Sequence, residues 1–100
     1  MIKVSVKKDN EINSITISGH AGYNESGKDI VCSSVSSIAI TTVNAIVRID
    51  SEAISFDEED GFLFITFKKH SSIIDILIEN MLELFYELEE QYPKYIKVEK

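Results

Sequence analysis

A chain of 100 residues suits one domain with one core and no staples, since at this size folding buries roughly 60–70% of the surface the unfolded chain exposes. It carries 17 acidic against 10 basic residues, a net charge of −7, which argues against gripping a phosphate backbone and favours encounter with cationic partners. The single cysteine excludes an internal disulfide and fits a reducing compartment in which a thiol stays free.

Ile2, Val4 and Val6 alternate with Lys3, Ser5 and Lys7, the period of a half-buried strand. No apolar run of signal-peptide type opens the chain, and none is expected to approach the ~18–20 residues of a membrane span. A cytoplasmic location with no membrane partner is therefore expected. Asp9-Asn10-Glu11 reads as a turn. Ile15 and Ile17 alternate with Ser14, Thr16 and Ser18 in a second strand, which runs into Gly19-His20 and completes a hairpin.

From Asp29 to Asp50 the period changes. Val31, Val35, Ile38, Thr42, Ala45 and Ile49 recur at spacings of three and four, a helical stripe that Ala39, Val43 and Ile46 widen. Asp29 is read as the N-cap, with Cys32 in the first turn. Ile54 and Phe56 open a third strand, and Asp57-Glu58-Glu59-Asp60-Gly61 reads as a hairpin turn. Phe62 to Phe67 is apolar on both faces, as for a strand covered on both sides or facing a partner. A second helix is expected from about Ser72 to Tyr92, opened by a capping box of Ser72 and Asp75. Ile74, Leu77, Ile78, Met81, Leu84, Phe85 and Leu88 form its apolar stripe, and Asp75, Glu79, Glu83, Glu87 and Glu90 an acidic outer side. Pro93 ends it, and Tyr95-Ile96-Lys97-Val98 reads as a last short strand. The order is β-β-α-β-β-α-β, an α+β fold with a mixed or mostly antiparallel sheet and two helices packed on it.

The chemistry concentrates between the second strand and the first helix. Gly19-His20-Ala21-Gly22-Tyr23 is followed by Gly27, then Asp29-Ile30-Val31-Cys32-Ser33-Ser34-Val35-Ser36. Three of the four glycines, Gly19, Gly22 and Gly27, lie here, as expected of a flexible loop that opens or lets a backbone approach closely. A thiol attacks as thiolate, and helix N-terminal amides stabilise both that anion and an oxyanion. Cys32 is thus placed for acyl transfer, though cysteine also serves as a small buried apolar residue. His20 can take the thiol proton and return it to a leaving amine, or be a polar residue at a strand end. Asp29 either caps the helix or orients His20. Ser36, four residues after Cys32, lies on the same helix face and either hydrogen-bonds near the thiol or packs as a small residue. His70 reads as a loop or cap residue.

Rival chemistries lack their parts. Arg48 is the only arginine, so no phosphate-cradling arginine follows the cysteine. There is no Cys-x-x-Cys, no metal-ligand spacing and no Gly-Lys-Ser or Gly-Lys-Thr phosphate loop. No metal or cofactor is expected.

The paired motif Gly19-His20-Ala21-Gly22-Tyr23 and Gly27-x-Asp29-Ile30-Val31-Cys32, with Val35-Ser36 after it, resembles the ribosomal-processing cysteine protease family known as Prp, over the whole chain. Ser33 and Ser34 stand where family members commonly carry two alanines, a change between small residues. The resemblance implies a bacterial cysteine endopeptidase that removes the N-terminal extension of large-subunit ribosomal protein twenty-seven, after an aromatic residue of that extension. It implies His20 as base and Cys32 as nucleophile, with Asp29 and Ser36 in supporting positions. It further implies a homodimer, and a partner that is a ribosomal protein precursor with a basic N-terminus rather than nucleic acid. Two other classes fit the composition: a non-catalytic acidic module that binds basic ribosomal proteins, and a thiol hydrolase with another acyl substrate.

Overall fold

The structure is a computed structural model that describes residues 1–19, 26–59 and 61–99, with the side chains of 26–29 outside the described residues. In chain order the elements are β1 (Ile2–Asp9), β2 (Glu11–Ser18), α1 (Ser26–Ile49), β3 (Ile54–Glu59), β4 (Phe62–Phe67), α2 (Ser72–Gln91) and β5 (Ile96–Glu99). This is the expected β-β-α-β-β-α-β order of an α+β fold. Among the described residues the strands form one sheet in the order β3-β4-β2-β1-β5. Every pair is antiparallel except β1 with β5, which is parallel, so the sheet is mixed.

Alternation decides which face of the sheet is covered. Val4 pairs with Ile17, Ile15 with Ile65, Ile54 with Phe67 and Ile2 with Ile96, and each pair puts its side chains on one face. All of these residues are buried. Val31, Val35, Ala39, Val43 and Ile46 of α1 and Ile74, Ile78, Met81, Leu82 and Phe85 of α2 complete the same core. Both helices therefore cover one face, in two layers. Phe85 and Met81 are fully enclosed, and each such side chain contributes roughly 1.5–3 kcal/mol through burial.

Local sequence sets the boundaries. Asn10 turns the β1–β2 hairpin at φ 65, a left-handed conformation that asparagine tolerates. Ser71 caps α2, its hydroxyl accepting the Ile74 N–H at 3.2 Å. Tyr92 closes that helix with an N–H bond of 2.7 Å to the Leu88 carbonyl, just ahead of Pro93. The last strand is tied back by Glu89, whose carboxylate accepts the Val98 N–H at 2.7 Å.

Five expectations need correction. First, α1 begins at Ser26, three residues before Asp29, so Asp29 is not the N-cap and Cys32 lies in the second turn. Second, the cap of α2 is Ser71, not Ser72, and Asp75 binds His70 rather than closing a capping box. Third, β3 runs on through Asp57 to Glu59, because cross-strand pairing with β4 overrides the low strand propensity of acidic residues. Fourth, of the two readings of β4, cover on both sides is excluded within this chain: Leu63, Ile65 and Phe67 are buried, while Phe62 is 40% exposed. Fifth, Ile30–Ile49 is long and apolar enough to cross a membrane by length and composition. Serine and threonine hide that length from the eye, and the inward stripe of this helix is packed in the core.

Candidate active site

A cleft of about 460 Å³ lies beside Cys32. It opens between the first half of α1 and the end of the sheet where β2 stops, β1 starts and β3 turns into β4. Cys32, Ser36 and Ile40 are spaced by four along α1 and line one wall with Val35. That spacing stacks side chains one turn apart on one helix face. Ile2, Ile17 and Gly19 line the sheet side, and Glu58, Glu59, Gly61, Phe62 and Leu63 the hairpin side. Cys32 is half-buried and packs against the core, and its thiol is in no disulfide. Ser36 is exposed.

Gly19 is required at its place for two static reasons. Its φ is +103, a backbone conformation that L side chains rarely adopt, and a Cβ there would overlap the Met1 carbonyl oxygen. Its N–H bonds the Gly61 carbonyl at 3.0 Å, which joins the end of β2 to the β3–β4 turn. The two glycines thus hold together the sheet side and the hairpin side of the cleft. The φ of Gly61 is 75, as a tight hairpin turn demands.

Of the residues singled out in the sequence, the structure brings Gly19, Cys32 and Ser36 to one cleft. His20 and Gly22 lie outside the described residues. Gly27 and Asp29 fall in the first turn of α1, where the Asp29 carboxylate is outside the described residues. The helix start changes the electrostatics expected at Cys32. The amides that a helix leaves unpaired belong to its first turn, and Cys32 is six residues beyond Ser26, about 9 Å along the axis at 1.5 Å per residue. The helix macrodipole acts within that first turn, so helix position alone gives Cys32 little support as an anion.

Sequence reading missed the hairpin wall. Glu58 and Glu59 read as turn residues and Phe62 as part of a strand covered on both sides or facing a partner, yet all three line the cleft. The signal was Phe62 itself, an aromatic residue next to the turn in a strand apolar on both faces.

A second titratable cluster sits apart from the residues that line the cleft. His70 Nδ1 donates to Asp75 Oδ1 at 2.7 Å and lies 3.8 Å from Glu11 Oε2. The hydrogen bond to Asp75, foremost, raises the His70 pKa above its ordinary 6.5; the charges of Glu11 and Asp75 and the Ile12 backbone add to the rise, and burial opposes it. This cluster ties the β1–β2 turn to the start of α2. Among the described residues no group of histidine, cysteine and carboxylates is placed to hold a metal.

Comparisons with known proteins give the family. The family model described as cysteine protease Prp matches residues 1–97. The ribosomal processing cysteine protease Prp of Staphylococcus aureus strain Mu50 is 27% identical, over 97% of this chain and 94% of its own length. The protein of the same name from Bacillus subtilis strain 168 is 25% identical, over 98% and 96%. Among solved structures, the essential ribosomal processing protease Prp from S. aureus with a covalently linked product peptide superposes with a TM-score of 0.80 at 26% identity, covering 98% of this chain and 95% of that one. The same protease with a substrate peptide gives a TM-score of 0.82 at 25% identity, covering 97% and 94%. A half-buried free thiol lines the wall of an open cleft, the fold is shared over nearly the full length with a protease crystallised with peptides, and the family model covers residues 1–97: the chain belongs to the Prp family of cysteine proteases.

Proposed function

We propose that this protease removes a short N-terminal extension from a ribosomal protein precursor, large-subunit ribosomal protein twenty-seven, and that Cys32 and His20 carry the reaction. The observation that carries the reading is the position of Cys32, the only cysteine of the chain, on the wall of the cleft. The relative from S. aureus crystallised with a covalently linked product peptide supports a covalent route. His20 follows Gly19 directly in the chain, and Gly19 lines the same cleft.

In this reading the His20 imidazole takes the Cys32 thiol proton. Sγ attacks the carbonyl carbon of the scissile peptide, and the carbonyl π electrons move to oxygen. The tetrahedral intermediate collapses as the imidazolium gives its proton to the leaving nitrogen, which releases the new N-terminus of the mature protein. The extension is left as a thioester on Cys32. Water, deprotonated by His20, then attacks the thioester, and the thiol is restored with its proton. Because Cys32 sits beyond the first turn of α1, His20 rather than the helix is the main support of the thiolate. Ser36 at the cleft wall and Asp29 in the first turn are supporting positions, whereas Gly27, expected in a flexible loop, lies instead in the first turn of α1.

The net charge of −7 suits a basic precursor, and the reaction in this reading takes place in the cytoplasm beside ribosome assembly. The protease acts as a homodimer in this reading. The outward residues of α1 from Ser33 to Val47, among them Ser37, Thr41 and Asn44, are uncharged, as suits a face that meets a second copy.

The test is incubation of the purified precursor with the wild-type chain and with Cys32→Ala, followed by mass measurement and N-terminal sequencing. A single new N-terminus with the wild type and none with Cys32→Ala is expected. Processing by both overturns the nucleophile, and processing by neither overturns the substrate.

A further inference from the structure

The cleft does not end at the hairpin. Glu58, Glu59 and Phe62 also line a second, shallow depression of about 450 Å³, completed by Asp57 and Phe64. The cleft therefore continues past the β3–β4 hairpin onto the face of the sheet that neither described helix covers. There Phe62 pairs across the strands with Glu59, and Phe64 with Asp57. Their rings are nearly parallel, with centroids 6.5 Å apart. On the far side Phe62 is flanked by Ser18 and Phe64 by Thr16. The two rings thus lie in a polar face with a carboxylate directly opposite each one.

This is the environment a lysine or arginine side chain fits. A cation within about 6 Å of a ring centroid is attracted by the ring face, and directly opposed residues on neighbouring strands have Cβ atoms about 4.5–5.5 Å apart. A side chain laid along the rings brings its charged head to Asp57 or Glu59 while its methylenes cover Phe62 and Phe64. No described cation fills that role. Among the described residues Asp57, Glu58 and Glu59 are in no ion pair, while Lys69 is taken by Asp50 and Glu52. Lys3, in the same row as Phe62, sits two strands over, about 10 Å away at 4.7–4.9 Å per strand.

We propose that the Phe62–Phe64 face, with Asp57 and Glu59, is an exosite that holds a lysine or arginine of the peptide substrate away from the scissile bond. This rests on the protease reading only in taking a peptide as the occupant, and the exosite is tested by binding rather than cleavage. The probe is a fluorescein-labelled peptide with an aromatic residue before the scissile bond and one lysine moved stepwise along an otherwise neutral sequence. Its Kd is measured by anisotropy on the full chain carrying Cys32→Ala. One lysine register should bind about three- to tenfold tighter than its norleucine counterpart, and the gain should shrink as salt rises. Phe64→Ala and Asp57→Asn should each abolish most of that gain. An equal affinity for lysine and norleucine at every register overturns the exosite without any protein variant. A lysine gain of the same size in wild-type and Phe64→Ala backgrounds overturns it too, as does a switch of Phe64→Ala from dimer to monomer with the gain intact, which would make the patch a self-association surface. Failure of the wild type to cleave any of these peptides would instead count against the protease reading and leaves the binding result standing.

Discussion

Replacing Gly19 with alanine tests how the cleft is held together. The site has φ +103, and the added Cβ would overlap the Met1 carbonyl oxygen. A non-glycine residue in such a sparsely populated region costs about 1–3 kcal/mol. Relieving the overlap moves the end of β2 or the start of β1, and either movement strains the 3.0 Å bond from Gly19 N–H to the Gly61 carbonyl, worth about 1 kcal/mol. Gly19→Ala should therefore lose about 2–4 kcal/mol, or about 10–25 °C in Tm for a chain of this size. Gly61→Ala, at φ 75, serves as comparison, with a positive-φ cost of about 1–2 kcal/mol. Urea titration followed by circular dichroism reads both variants, and peptide cleavage by Gly19→Ala should fall as its cleft distorts. A loss below about 1 kcal/mol with normal cleavage would show that neither the backbone angle nor the close approach matters there.

Other consequences can be read in the same assays. Ser71→Ala should cost about 1 kcal/mol as the cap of α2 is lost, whereas Ser72→Ala should change little; the reverse order would return the cap to Ser72. Glu89→Ala leaves the Val98 N–H without its acceptor and should cost about 1–3 kcal/mol, with faster hydrogen exchange at Val98; an unchanged exchange rate refutes the tie between α2 and β5. The raised pKa of His70 stabilises the fold fully below its unfolded value of about 6.5, and that contribution fades as pH rises through the higher folded value. The stability gap between wild type and His70→Gln should then narrow as pH rises from about 6.5 through the higher folded value, and a gap that is constant or widens would contradict the ion-paired cluster.

Periodicity made the element order legible. The alternation of Ile2, Val4 and Val6 and the three-four spacing of Val31, Val35 and Ile38 depend on which side of an element is buried, and the buried sides match. Helix starts were less legible, because Ser71 and Ser72 are chemically equal as caps and only the backbone decides which one accepts the Ile74 N–H. The same holds for α1: aspartate is a good cap, yet the chain turns helical at Ser26. At the site, Cys32 and Ser36 could be placed together from their spacing of four. Gly19 joined them through the end of a strand. Glu58, Glu59 and Phe62 could not be found that way, since they reach the cleft only through the β3–β4 register and the fold of the sheet end, which no local pattern encodes.

The most direct test of the account is to follow activity against modification of the chain's one thiol. Cys32 is the only cysteine, so intact-mass measurement during iodoacetamide treatment reads its alkylated fraction without mapping. Residual processing of the precursor should fall in proportion and reach zero when the thiol is fully modified, with the fold unchanged by circular dichroism. His20→Ala should alkylate more slowly near neutral pH and turn over about 10²–10⁴-fold more slowly. A fully alkylated protein that still processes its precursor would contradict the central claim that this chain works through Cys32.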